Sequence, residues 1–194
     1  MEPCRLAASD LACRRGDRVL FSGLAFALET GEACHVTGPN GIGKSSLIRI
    51  LSGLMRPFAG EVTHTGSMGL VDERLALDEH LPLGKALGFW ERIDRCSDAS
   101  GAIAAMQIAH LLDVPVRYLS TGQRKRAAIA RLLNSGRRIW LLDEPLNGLD
   151  TQAKGAVEAL VAQHCGGGGI ALVASHQDFA VPDIRKLHLP DFIA

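Results

Sequence analysis

The chain has 194 residues, is 47% apolar, and carries 21 basic against 21 acidic side chains. That length suits a single domain spanning 1–194 with a sizeable core of its own, and the apolar share excludes a disordered chain. The balanced charge supplies no net field toward nucleic acid or anionic lipid, so no nucleic-acid partner is expected.

Cys4, Cys13, Cys34, Cys96 and Cys165 form no C-x-x-C pair, a spacing that points to reduced thiols rather than disulfides or zinc. No basic stretch followed by an apolar one opens the chain, so no signal peptide is expected. The longest clean apolar run, Ile170 to Ala174, falls far below the roughly 20 residues of a membrane span. A soluble chain is expected, held at any membrane by another protein.

In chain order, Val19–Phe21 and Leu24–Leu28 read as short strands separated by Ser22-Gly23, and Ala33–Thr37 as a buried strand after the turn at Gly31-Glu32. Leu47, Ile50, Leu51 and Leu54 fall at helical spacing, ending near Gly53 and Pro57. Residues 74–117 carry no strand-like run. Leu83, Ala86, Leu87 and Trp90, then Ile103, Met106, Ile108, Leu111 and Leu112, recur at helical periods and predict a small helical insertion, about 74–120. Thereafter a helix is predicted over about 122–134, a strand over 139–142, a helix over about 151–164 and a strand over 170–173. The four glycines 166–169 read as a flexible turn. Helices alternating with continuous apolar strands predict a parallel α/β sheet covered on both faces.

Residues 38–45, GPNGIGKS, match the phosphate-binding loop G-x-x-x-x-G-K-[ST], between a predicted strand and a predicted helix. Gly38, Gly41 and Gly43 let backbone N–H groups curl around a phosphate, and the helix N-terminus adds favourable partial charge. Pro39, Asn40, Ile42 and Ser46 complete the binding set. Lys44 is expected to neutralise the β- and γ-phosphates, and the Ser45 hydroxyl to ligate Mg²⁺ beside ATP. The loop alone leaves kinases, GTPases, helicases and transport ATPases open; the N-K-x-D base-reading motif of GTPases is absent.

Ile139–Leu142 runs into Asp143-Glu144. An acid at the strand tip would hold Mg²⁺, and the next one, Glu144, would orient and polarise the attacking water; a solvated acidic turn is the alternative. His176 ends the next strand in the same way, where it would touch the γ-phosphate or serve a structural role. Arg124-Lys-Arg126 with Arg131 reads as the solvated, phosphate-facing side of a helix rather than a nucleic-acid patch, because no aromatic platform accompanies it.

The set GPNGIGKS, Leu119-Ser-Thr-Gly-Gln123, LLDEP, Leu149-Asp150 and Ser175-His176, in this order, resembles the ATP-binding-cassette family over essentially the whole chain. So does the run Gly53-Leu-x-x-Pro57-x-x-Gly60-x-Val62. Leu119 to Gln123 is similar to that family's signature, normally L-S-G-G-Q. The resemblance implies an α/β fold: a P-loop core with an N-terminal antiparallel β layer and a small inserted helical subdomain. It also implies a head-to-tail homodimer in which Ser120, the Gly122 N–H and Gln123 of one subunit meet the ATP on the other. His176 becomes a switch residue and Asp150 part of a loop coupling the two sites.

The chain departs from the family pattern in two places. The family's glutamine position is occupied by Glu73, a carboxylate able to reach Mg²⁺ or water but repelled by phosphate. The aromatic residue that stacks on adenine is missing near 13–15, so that either Arg14 or Arg15 stacks instead or the base contact is weak. Within the family, the texture of residues 11–32, Thr121 in the signature, the His176-Gln177 pair and the terminal KLHLPDFIA resemble the ATP-binding subunits of cytochrome c biogenesis haem exporters. These work on the cytoplasmic side of the bacterial inner membrane, bound to an integral membrane permease. A soluble cassette ATPase powering cofactor assembly, such as iron-sulfur clusters, and the ATPase of another short exporter remain open.

Overall fold

The N-terminal third of the computed structural model, which describes residues 3–95 and 98–193, folds as an antiparallel layer. Strand β1 (Arg5–Arg15) lies between β2 (Arg18–Glu29) and β4 (Ala59–Thr65). β2 is continuous, not the two expected segments. Its Ser22-Gly23 is a bulge, with Gly23 at φ +68° opposite an irregular stretch of β1 at Asp10. A bulge admits an extra residue without ending the strand.

The second sheet holds five parallel strands in the order β5 (Met68–Val71), β6 (Ile139–Asp143), β7 (Ile170–Ala174), β3 (Ala33–Thr37), β8 (Arg185–His188). The central strands are covered on both faces, which explains their unbroken apolar runs. Ile139 and Leu141 join a core shared with the antiparallel layer and helix α1 (Lys44–Leu51). Trp140 and Leu142 join a second core with α4 (Thr121–Asn134) and α5 (Thr151–Gly166). The period of two along each strand therefore sorts side chains between two cores, not between core and water.

Between β5 and β6 lie α2 (Leu83–Asp94), α3 (Ser100–Ala105) and two 3₁₀ turns over 109–111 and 116–118, followed by α4. Met106 and Ile108 are fully buried there but outside any helix. Leu54 likewise lies beyond α1, which stops at Leu51, and its side chain is exposed. Cys96 falls outside the described residues; Cys4, Cys13, Cys34 and Cys165 are buried free thiols, and burial pushes Cys34 up to about 12.

Gly166–Gly169 is not a loose turn. The Gly169 N–H donates to the His164 carbonyl and the Gly168 N–H, at φ +80°, to that of Cys165, the paired bonds of a Schellman cap. The Gly169 carbonyl in turn accepts from the Gly31 N–H. A Cβ on Gly169 would collide with the His164 ring, which stacks on Trp140 at 3.8 Å between centroids.

Burial holds two histidines, His164 and His35, below the ordinary imidazole range. A depressed histidine stays neutral in the fold, while the unfolded chain takes up its proton below about pH 6.5. Stability is therefore full above that value and falls as pH drops, by up to about 1.4 kcal/mol per unit for each histidine. Urea unfolding at pH 7.5 and 5.5 is expected to show the loss, and His35→Leu to remove roughly half of it. An unchanged pH slope in that variant would contradict the assignment.

Candidate active site

Three adjacent parallel strands, β6, β7 and β3, deliver the chemistry-bearing segments at their carboxyl ends, the edge where open α/β sheets bind ligands. β3 runs into the glycine-rich loop, whose Gly38, Gly41 and Gly43 adopt φ of +144°, +80° and +119°. Ile42 is buried beneath the loop. Pro39, Asn40, Gly41 and Ser45 are exposed on it. Lys44 folds back over the loop, donating to the Gly38 carbonyl at 2.8 Å and the Pro39 carbonyl at 3.2 Å.

β6 ends on Asp143 and Glu144. Glu144 adopts φ +46°, unusual for a side chain of this size; its N–H donates to the Ala174 carbonyl at 2.8 Å, fixing the turn against β7. One carboxylate oxygen accepts from His176 Nδ1 at 2.9 Å and from the Ser175 hydroxyl at 3.4 Å, and the other lies 3.7 Å from Lys44 Nζ. Lys44, Glu144 and His176, expected at three strand ends, thus form one contiguous cluster. The strained backbone at Glu144 accords with the cost that functional positions store.

Asp143 is buried, its Oδ1 has no protein partner among the described residues, and the Ser45 hydroxyl is placed to favour the charged carboxylate. Burial pushes this carboxyl upward, the Ser45 hydroxyl opposes the shift, and the Glu144 and Glu73 charges add to it. A buried carboxylate oxygen without a protein partner, beside the Ser45 hydroxyl, suits a hard divalent cation that takes its other ligands from phosphate and water; among the described residues no three acidic, histidine or cysteine side chains are grouped so as to hold a metal by themselves. Glu73 lies within electrostatic reach of Asp143 and of Lys125, and lines the same cavity of about 550 Å³ as Lys44, Ser45, Ser46 and His176.

Of the signature segment, Thr121 lines an adjoining cavity of about 660 Å³ with Glu73, Glu144 and Asn147. Ser120 and Gln123 line no part of the P-loop cavity. Ser120 caps α4 in a capping box: its hydroxyl oxygen accepts from the Gln123 N–H at 3.2 Å, and the Gln123 side-chain carbonyl accepts from the Ser120 N–H at 2.8 Å. That leaves the Ser120 O–H as a donor. Gly122 is pressed against Gly148, whose carbonyl oxygen a Cβ at 122 would strike. The carboxylate of Asp150 caps α5, accepting from the Ala153 N–H at 2.8 Å, and pairs with Arg126 at 3.2 Å.

The basic cluster on α4 is not the solvated face expected. Lys125 is buried, its Nζ donating to the Asp143 carbonyl at 3.4 Å, and Arg131 lies over the Trp90 ring at 3.8 Å. Helix α4 is packed on both sides, by the sheet and by α2 and α3, so even its basic residues have protein neighbours. Of the two candidate stacking arginines, Arg14 covers Phe58 at 4.4 Å, while Arg15 lines the P-loop cavity. The sequence reading gives no role in the site to three groups. Arg18 sits across a hairpin from Arg15, and the Gly16-Asp17 pair was the available signal. Asn147 and Gln177 pair at 2.9 Å and tie the loop after β6 to the end of β7; only the tertiary structure brings them together.

Fold and loop together define a P-loop nucleotide-hydrolysing protein. A family profile described as ABC transporter matches residues 21–147, and the chain belongs to that family, as an ABC-type ATPase. It is 56% identical over 192 residues to the cytochrome c biogenesis ATP-binding export protein CcmA of Novosphingobium aromaticivorans, covering 99% of each chain. To the protein of the same description from Zymomonas mobilis it is 50% identical, over 98% of this chain and 86% of that one. A Pyrococcus furiosus ABC transporter ATP-binding chain shares the fold at a TM-score of 0.83 and 20% identity, over 98% of this chain and all of that one. Among the described residues no helix is long and apolar enough to cross a membrane.

Proposed function

We propose that this chain is the ATP-hydrolysing subunit of a cytochrome c biogenesis exporter with haem as cargo, two copies closing head to tail on ATP and driving a separate membrane permease. The reading rests on one observation above all: Lys44, Glu144 and His176 converge within hydrogen-bond and ion-pair reach at three strand ends, in a chain 56% identical to a CcmA protein.

The loop N–H groups and Lys44 grip the β- and γ-phosphates, trading the carbonyl bonds of Lys44 for phosphate oxygens. Ser45 and Asp143 would hold Mg²⁺, and Glu73 would reach it or a water bound to it. When bound, that ion neutralises charge developing on the transferred phosphoryl group. Glu144 accepts a hydrogen bond from the attacking water and orients it in line, and His176 holds the carboxylate and senses the γ-phosphate. The partner's Ser120 donates its free O–H, and the partner's Gly122 its N–H, to the same phosphate.

A groove of about 470 Å³ beside residues 70–76, walled by Leu54, Leu70, Leu75, Trp90 and Ile93, supports a permease docking face. Leu54 and Ile93 are 67% and 52% exposed there, beside the charged Asp72, Arg74 and Arg137. The chain then sits on the cytoplasmic face of the bacterial inner membrane. Co-expression with its permease is expected to move the chain into the membrane fraction, and Leu54→Asp with Ile93→Asp to release it. Equal partition with and without the permease would refute the proposal.

A further inference from the structure

Helix α4 buries one face, and Gly122, Lys125, Ile129 and Leu132 recur along it at helical spacing. A lysine in such a row is out of place, because a buried ammonium costs free energy unless it is paired. Lys125 is 5% exposed. Among the described residues its Nζ makes one long hydrogen bond, to the Asp143 carbonyl at 3.4 Å, and no carboxylate lies within ion-pair distance. An ammonium has three donors, so most of its capacity is unused. Burial pushes its pKa down, and the charges of Asp143, Glu73, Asp72 and Glu144, in that order, oppose the fall.

Lys125 lines the cavity of about 660 Å³ together with Glu73, Glu144 and Asn147, and those three also line the P-loop cavity. Glu73 and Glu144 thus stand between the phosphate loop on one side and Lys125 on the other. Glu144 already has a cation, Lys44 at 3.7 Å. Glu73 is exposed and has none within ion-pair distance among the described residues.

We infer that Lys125 is a positioning residue for nucleotide binding: it is the counter-ion that draws the Glu73 carboxylate toward α4, and so lets an acid stand beside the triphosphate. The inference rests on the proposed triphosphate reading of the loop. Carboxylate and phosphate repel more strongly as water leaves a closing site. A cation behind the carboxylate offsets that repulsion without occupying the side that faces phosphate. MgATP affinity therefore depends on Lys125 as long as residue 73 is an acid, and much less once it is an amide.

Calorimetric titration of the full chain with MgATP and with magnesium tripolyphosphate tests this. Lys125→Gln, which keeps a donor for the Asp143 carbonyl but not the charge, is expected to weaken both probes about tenfold. Glu73→Gln added to it is expected to return both to within about twofold of wild type. Alone, Glu73→Gln is expected to shift either affinity by less than about twofold, so the two substitutions are not additive. Lys125→Met, which fills the same buried space, is expected to show the same loss and the same recovery, and it replaces the amide if that variant does not fold. Wild-type affinity in both Lys125 variants would overturn the inference. So would a loss that Glu73→Gln does not recover, which would tie Lys125 to packing or to Asp143 instead. A loss confined to MgATP, with tripolyphosphate unaffected, would overturn it as well, because the pair acts on phosphate. Failure of both Lys125 variants to fold would make the residue a structural one and overturn it too. Wild type that binds neither probe would instead overturn the triphosphate reading, and this inference with it.

Discussion

Glu144→Gln is expected to lower ATP turnover by roughly 100- to 10,000-fold, the range for loss of a positioned general base, while leaving ATP affinity nearly intact. The two effects separate because the residues do. The grip on phosphate comes from the loop N–H groups and Lys44, whereas Glu144 stands at the end of β6, 3.7 Å from Lys44 Nζ. Glutamine keeps the shape and can still meet His176, now 2.9 Å from the carboxylate, but it cannot draw a proton from water. Removing the negative charge beside Lys44 also removes a competitor for that ammonium, so the affinity is expected to rise if it changes. A steady-state phosphate-release assay beside a nucleotide titration checks both. Turnover within tenfold of wild type would remove Glu144 from the catalytic role.

Lys44→Ala is expected to fail earlier, at binding. The ammonium is 5% exposed and donates to two loop carbonyls, so it is pre-positioned where phosphate arrives. Charge-assisted hydrogen bonds contribute about 1.5–3 kcal/mol, which converts to roughly 10- to 100-fold weaker nucleotide binding. The alanine also leaves Glu144 facing the phosphates without its cation, adding repulsion. Calorimetry with MgATP that returns wild-type affinity would refute this role.

The parts legible in the sequence were those encoded locally. The glycine loop, the apolar run into Asp143-Glu144 and the Leu119–Gln123 segment at the start of the helix each lie within a few consecutive residues. The antiparallel layer was harder to see. β1 carries two register irregularities within Ala8–Cys13, which break its period of two, and β4 is exposed along almost its whole length, so neither shows a hydrophobic alternation. β8 has a single buried residue, Leu187. The burial of Lys125 could not be read from the sequence for a different reason: it depends on Asp143, 18 residues away, and on packing of α4 from both sides. Likewise the glycine tract 166–169 looks featureless in composition, yet it is a cap whose shape depends on His164 and Trp140.

Ser120, with its O–H free and no place in its own P-loop cavity, carries the central claim, that the ATPase site is completed by a second copy of the chain. Light scattering of Glu144→Gln, with and without saturating MgATP, tests it most directly. A monomer without nucleotide and twice that mass with MgATP is the predicted result. A variant that binds MgATP yet remains monomeric at saturation would contradict it.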